Sequence, residues 1–206
     1  MKARFFKPKL AALAILVLAA AGCTKPSPPT NFYMLGSLTP VAADTMTGNA
    51  SRRPMIAVET VKVPAYLDRN QIVTNLDDTE YRLADFNHWA EPLSDTLTRV
   101  MAENLSRMLV DQSAQVLPIT RSIPFDYRID VEVLQLDGQM NGHVTLVARW
   151  AIFGREVEDL LHLEKSLYRE AVSGDAYKDL VSAYSRVIEK LCRDVAQVLE
   201  GTISNP

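Results

Sequence analysis

The chain has 206 residues, of which 48% are hydrophobic and 23% charged, and this is the composition of an ordinary globular protein with one domain. Its two cysteines exclude both a small disulfide-stapled fold and a multi-cysteine metal or iron–sulfur site. The formal net charge of −3, without a run of basic residues in the body of the chain, argues against a nucleic-acid-binding protein.

Residues 1–22 have the features of a secretory signal peptide. Four basic residues precede twelve consecutive apolar residues at positions 10–21. Twelve residues are too few to span the hydrocarbon core of a bilayer, which needs about 20. The segment also ends in small residues, as a cleavage region does. We therefore expect this segment to be removed on export.

The residues at the end of that segment indicate a lipid attachment site at Cys23. Residues 20–23 (AAGC) resemble a bacterial lipobox, in which the cysteine thiol receives a diacylglycerol and becomes the first residue of the mature chain. Ala20 stands where the lipobox usually has leucine. The alternative is a secretory signal that is cut elsewhere and happens to contain a cysteine. Because two or more acyl chains hold a protein durably at a membrane, Cys23 is the expected membrane anchor.

Cleavage before Cys23 changes the charge of the chain. The removed segment carries four of the 22 Lys and Arg residues and no Asp or Glu, so 18 basic residues face 25 acidic ones, a formal charge of −7. We therefore expect no nucleic-acid partner and no electrostatic attachment to anionic lipids.

The mature chain begins with a tether. Residues 24–30 (TKPSPPT) contain three prolines, which favour an extended spacer of about 22 Å that would hold the folded body off the bilayer. Residues 31–35 predict a first strand. Residues 36–54 are polar and small and show no periodicity, so their composition favours a mobile connection over a functional one.

From residue 55 onwards, apolar side chains recur with the spacing of strands and of two helices. Strands are predicted at 55–63, 71–75, 80–84, 114–119, 127–136, 144–152 and 161–167, and helices at 92–109 and 177–199. Leu161, Leu163 and Leu167 are predicted to continue the apolar face of the strand before them. The pattern indicates a single α+β domain over residues 31–201. It would be a two-layer sandwich with a mostly antiparallel sheet packed against two main helices.

Residues that could carry chemistry are few. His88, His143 and His162 lie in different elements without the spacing of metal ligands, so no metal site is predicted. The sequence has no nucleophile elbow and no glycine-rich phosphate loop. We therefore expect no catalytic residue and no cofactor, and hence a protein that is not an enzyme. Cys192 lies on the apolar side of the last helix and is predicted to be a buried, inert thiol.

Tyr66, Leu67 and Trp89 are the candidates for binding a partner. Tyr66 and Leu67 follow Pro64 in a short turn, where Gly, Asn or Asp would serve a simple chain reversal. Trp89 either packs beside Leu93 at the start of the first helix or stands exposed as an anchor. We predict that the three lie near one another and that at least one contributes to a surface for a partner or for self-association.

Several short motifs follow one another in order along residues 31–200. They are residues 33–35 (YML), 63–69 (VPAYLDR), 71–73 (QIV), 87–93 (NHWAEPL) and 146–150 (LVARW). Their order, together with the lipobox, resembles the ABC-type transport auxiliary lipoprotein family and, within it, the PqiC-like group. The resemblance implies a lipoprotein that works beside an MCE-domain protein and an ABC transporter. Such systems move lipids between the two membranes of a Gram-negative envelope.

The resemblance also bears on location. Thr24 follows the cysteine, whereas lipoproteins retained at the inner membrane mainly have aspartate there. The resemblance therefore implies the periplasmic face of the outer membrane. Two alternatives stay open, a stand-alone structural lipoprotein of the envelope and a periplasmic lipid-binding carrier. Co-purification with an MCE protein would distinguish a transport component from a stand-alone structural lipoprotein. A wide apolar cavity would favour the lipid-binding carrier. Assembly into a homo-oligomer is also open.

We predict that mass spectrometry of the mature protein will find residue 23 at the N-terminus, with its thiol acylated. Cys23→Ala should accumulate as an unacylated precursor, because Cys23 is the one cysteine that directly follows small residues at the end of an apolar segment. A mature chain with an unmodified Cys23, or one that starts elsewhere, would contradict the prediction.

Overall fold

The computed structural model describes residues 27–38, 53–77, 79–119, 124–156 and 159–204. The predicted signal peptide, Cys23, the first part of the tether and most of the 36–54 connection lie outside these residues. The predictions that concern them therefore remain predictions.

The described residues form eight strands and two long helices, with a short 3-10 turn after the first helix. In chain order these are β1 (Asn31–Tyr33), β2 (Met55–Val58), β3 (Gln71–Asn75), β4 (Tyr81–Trp89), α1 (Leu93–Met108), the 3-10 turn (Val110–Gln112), β5 (Gln115–Pro118), β6 (Tyr127–Gly138), β7 (His143–Phe153), β8 (Leu160–Ala171) and α2 (Tyr177–Ser204).

The strands are divided between two mixed sheets. A three-stranded sheet has the order β1-β4-β3, and a five-stranded sheet has the order β5-β2-β6-β7-β8. The predicted α+β sandwich is confirmed, and the successive pairs β6–β7 and β7–β8 are antiparallel, as the hairpin pattern indicated. The pairs β1–β4, β2–β5 and β2–β6 are parallel and short, so both sheets are mixed although most of the pairing is antiparallel. Alternating side chains show which face of a strand is buried but not which strand lies beside it.

Two predicted boundaries shift for local reasons. The strand predicted at 55–63 is regular only to Val58, and beyond it Lys62 makes a single bridge to Glu132 on β6. Pro92 is predicted from the sequence to be the first helical residue but is the N-cap of α1, so the helix begins one residue later, at Leu93, and the extended backbone of Pro92 (ψ 135°) precedes the first turn. Proline is tolerated there because the N–H that it lacks would have no partner within the helix.

The core lies between the two helices and the inner faces of the sheets. The apolar stripe of α2 runs from Leu180 to Leu199 and is buried along its length, with Leu191 and Cys192 fully enclosed. On β7, Leu146, Ala148 and Trp150 point into the same core. The helical spacing in the sequence therefore identified the buried face of α2 correctly.

Tyr184 of α2 lies where both sheets and the helix meet. Its ring packs edge-on against Trp89 of β4, with 5.9 Å between ring centroids. Its hydroxyl donates to the carbonyl oxygen of Val73 on β3 at 3.3 Å. Gly138 at the end of β6 approaches this ring so closely that a Cβ there would overlap Tyr184 and Leu180. Glycine is therefore required at this position by space.

We predict that Leu191→Ala will lower the free energy of unfolding by about 2–5 kcal/mol, because it leaves a cavity in a fully buried site. Chemical denaturation measures the change. Gln197→Ala, on the exposed face of the same helix, is the matched control and should change stability by less than about 0.5 kcal/mol. Equal effects of the two substitutions would show that the helix stripe is assigned wrongly.

Candidate functional site

The structure buries two of the three residues predicted to bind a partner. Leu67 and Trp89 both belong to the hydrophobic core. The turn closes with a hydrogen bond from the Leu67 N–H to the Pro64 carbonyl oxygen (2.9 Å), and it directs Leu67 inward. The interpretation of Trp89 and Leu67 as exposed side chains that anchor a partner is therefore wrong. The burial of Trp89 instead matches the other interpretation, that it packs at the start of the first helix.

Tyr66, the third candidate, is half-buried at the rim of the core. Its hydroxyl donates to Asp137 Oδ1 at 2.9 Å and accepts the N–H of Leu136 at 3.2 Å. Its ring lies 5.2 Å from that of Tyr81 on β4. Desolvation by burial raises the pKa of the Tyr66 hydroxyl above its usual value, so the hydroxyl stays protonated and can donate. These bonds tie the turn to β6, and contact of Tyr66 with a partner stays a prediction.

The cysteine and histidine side chains of the described residues do not come together in one site. Burial raises the pKa of the Cys192 thiol to about 12, and Asn104 Nδ2 lies 4.0 Å from its sulfur. His162 stacks on Trp150 with 4.7 Å between ring centroids, and His88 meets Phe32 edge-on at 6.1 Å. Among the described residues, no group of three or more His, Cys, Asp or Glu side chains could hold a metal ion.

Neither of the two helices described here is both long and apolar enough to cross a bilayer.

A groove of about 550 Å³ lies between β1 and α2. Its lining mixes apolar with polar and charged side chains, namely Tyr33, Met34, Gly36, Ser37, Leu38, Asn104, Lys178, Val181, Ser182, Ser185, Arg186 and Glu189. A lipid carrier needs a wide apolar cavity. This groove does not provide one and gives no support to the carrier alternative.

The most exposed apolar surface of the five-stranded sheet lies on its edge strand, β8. Leu163 and Leu167 are 58% and 62% exposed, and Leu160 and Leu161 are also exposed. Leu163 pairs with Ala151 and Leu167 with Val147 on the sheet face that points away from the helices. The prediction that the leucines of this strand continue the buried face of β7 is therefore wrong. The alternate residues face the helices instead.

The inward-facing residues of β8 are polar because each finds a partner. Ser166 accepts the Trp150 indole N–H at 3.1 Å, and the Tyr168 hydroxyl donates to Asp194 on α2 at 2.7 Å. Glu170 forms ion pairs with Lys190 (2.8 Å) and Arg186 (3.2 Å), and the hydrogen bond from Lys190 lowers the pKa of its carboxyl. The sequence pattern did not predict that the polar face of β8 is the one directed inward. The signal for this orientation was the row of hydrogen-bonding side chains opposite the leucines.

Helix α2 covers only one half of the β8 edge. Lys190 Nζ donates to the carbonyl oxygen of Arg169 at 2.8 Å. Arg186 Nη2 donates to that of Ala171, also at 2.8 Å. Because main-chain groups alternate in direction along an antiparallel strand, these two bonds show that odd-numbered residues of β8 direct their N–H and C=O groups to the outer edge. Within the described residues these two are the side-chain hydrogen bonds to this edge, and none reaches residues 163–167.

The same stretch of β8, residues 163–167, contains one positively charged side chain, Lys165. It lies between the two exposed leucines and directly opposite Arg149 of β7, which is an unfavourable pairing of like charges. Arg149 is neutralised by Glu132 at 2.9 Å, whereas Lys165 makes no ion pair within the described part of the chain. A cleft of about 130 Å³ beside Leu163 continues this surface over β7 and β6. We call residues 163–167, with this cleft, the β8 edge surface.

The fold and the motif order define the class of protein. The chain belongs to the family described as the ABC-type transport auxiliary lipoprotein component, whose sequence profile matches residues 37–196.

Among its relatives are the intermembrane transport lipoproteins PqiC of Escherichia coli and Shigella flexneri. Each is 26% identical over 191 residues, which cover 91% of this chain and 96% of the relative.

Two crystal structures share the fold. One is of an uncharacterized protein with 21% identity and a TM-score of 0.69, and the match covers 84% of this chain and 99% of that one. The other is of a protein from Xanthomonas campestris with 15% identity and a TM-score of 0.62, covering 81% and 93%.

We predict that Leu67→Ala will lower the free energy of unfolding by about 2–5 kcal/mol, because it removes a buried side chain from the turn. Thermal or chemical denaturation measures the effect. Asp68→Ala, its exposed neighbour in the same turn, should leave stability nearly unchanged. If the two variants are equally stable, Leu67 is not part of the core.

Proposed function

We propose that this chain is a non-enzymatic, lipid-anchored component of an MCE/ABC-type system that moves lipids between the membranes of a Gram-negative envelope. The observation that carries the proposal is the similarity to the intermembrane transport lipoprotein PqiC, which extends over nearly the full length of both chains. Membership of the transport auxiliary family supports it. Cys23 carries the acyl chains and holds the domain at the periplasmic face of the outer membrane.

A component without chemistry of its own acts through its surfaces. The β8 edge surface is the docking site that we assign to the transport partner, the MCE-domain protein. Its main-chain donors and acceptors at residues 163, 165 and 167 face outward, and two leucines alternate there with a lysine. An extended segment of the partner can add to such an edge as a further strand.

The side chains around this edge define what the added segment would need. Apolar residues would pack against Leu163 and Leu167, and a polar or charged residue would suit the cleft beside Leu163, whose lining includes Lys62, Glu132 and Arg149. An acidic residue between them would pair with Lys165. A long edge strand with exposed leucines is otherwise prone to unspecific pairing, which is why edges are usually short, charged or covered. A dedicated partner resolves that conflict.

We predict that the double substitution Leu163→Ser and Leu167→Ser will weaken co-purification of the acylated protein with the transport partner by about thirtyfold or more. Stability should change little, because both side chains are exposed. The matched control is Leu117→Ser on β5, the opposite edge strand of the same sheet, where the leucine is 43% exposed. Unchanged capture by the double variant would contradict the assignment of this edge.

A proline at position 165 separates strand addition from side-chain docking. The N–H of Lys165 points to the free edge, so Lys165→Pro removes a donor for the partner and none from the β7–β8 ladder. Lys165→Gln removes only the charge and serves as the control. Strand addition requires the proline variant to lose more binding than the glutamine variant. If wild-type protein captures no transport component at all, the stand-alone structural lipoprotein replaces the present proposal.

A further inference from the structure

Apolar and aromatic side chains cluster at the end of the domain that receives the tether. Phe32 on β1 is 67% exposed, and Met34, just after the strand, is 49% exposed. β1 is an edge strand of the three-stranded sheet. The Phe32 ring makes one ring contact, edge-on to His88, so most of its surface has no protein to pack against.

The tyrosines near this pair belong to the core side of β1. Tyr33 lies on the opposite face of the strand from Phe32 and packs against the core, with its ring 6.3 Å from that of Tyr177, the first residue of α2. The Tyr33 hydroxyl donates to Asn87 Oδ1 at 3.0 Å. Only Phe32 and Met34 of these described residues are therefore exposed apolar side chains, and they are called the β1 patch below.

The position of the tether decides what this patch can reach. Residues 27–30 are exposed, and β1 begins directly after them. Phe32 is nine residues from Cys23, and nine residues span at most about 30 Å. A lipid on Cys23 therefore keeps the patch within about 30 Å of one leaflet. The tether raises the effective concentration of the patch at that leaflet, so that even a weak contact between them is populated.

We propose that the β1 patch contacts the lipid leaflet in which Cys23 is anchored and seats the domain on its head groups. Phe32 and Met34 enter the boundary between head groups and acyl chains, where apolar and aromatic side chains are favoured. This inference rests on the proposed lipid anchor. The sequence predicts a proline-rich tether that holds the domain away from the bilayer. The present inference places the domain in direct contact with the bilayer instead.

The test uses the full acylated protein, reconstituted in phosphatidylethanolamine and phosphatidylcholine vesicles with or without brominated acyl chains. Phe32→Trp introduces an indole at the patch, and the two native tryptophans are buried and provide the background. Leu117→Trp, on the other sheet, is the matched control. We expect Trp fluorescence at position 32 to shift to shorter wavelength and to lose most of its intensity in brominated vesicles, at low and high salt alike. The control should do neither. Met34→Trp is the second probe, should Phe32→Trp fail to fold.

Two results would overturn the inference. One is quenching at positions 32 and 34 no greater than at position 117. The other is a shift to shorter wavelength without quenching, which would assign the patch to a contact with another protein or a second copy. Mass spectrometry of the same samples tests the anchor separately. Acylated Cys23 with unquenched probes overturns the patch alone, whereas an unmodified Cys23 overturns the anchor and the patch together.

Discussion

The burial of Tyr184 between the two sheets is the constraint on which the rest of the domain depends. Its hydroxyl bonds to β3, its ring packs on Trp89 of β4, and Gly138 of β6 lies against it. Burial raises the pKa of this hydroxyl well above its usual value, so it remains a neutral donor. A single side chain of α2 thus fixes the helix against both sheets. Loss of this contact would remove one link between the small sheet, which receives the tether, and the large one, leaving others such as the hydrogen bond from the Tyr81 hydroxyl on β4 to Asp137 on β6.

The same helix sets the limit of the free edge. Arg186 and Lys190 cover the carbonyl oxygens of the C-terminal half of β8, and Tyr168 is held to Asp194. In the N-terminal half of β8 most residues are exposed, and only His162 and Ser166 of this described stretch are partly buried. The strand therefore has one half that belongs to the domain and another that is available to a partner. The division follows from where α2 packs, since β8 is paired with β7 along both halves, apart from an irregularity at Leu161.

The two proposed surfaces lie on different sheets, and each would bind through a different kind of interaction. The β8 edge surface offers unpaired main-chain groups, which require a partner with an ordered strand. The β1 patch offers side chains without a matching geometry, which suits a fluid lipid surface. Because β1 and β8 belong to separate sheets, one domain can hold a membrane and a protein partner at the same time.

Helices and most strands were predictable from the sequence because their periodicity is local. Strand β3 has the predicted bounds, and α2 begins at the predicted residue and is longer by five. The inward face of α2 and the burial of Cys192 follow from the same spacing. For Trp89 the sequence left two interpretations, since a tryptophan packs equally well in a core or in an interface.

The sequence by itself determined the α+β class, the positions of the helices and the resemblance to a transport lipoprotein family, because these depend on patterns within short segments. Only the tertiary structure decided the parallel pairing of β2 with β5 and β6, the burial of Leu67 and the outward direction of the β8 leucines. On β8, polar residues face inward because Trp150 and α2 supply hydrogen-bond and charge partners to them. Those partners come from distant parts of the chain, so no local pattern can reveal which face of the strand is buried.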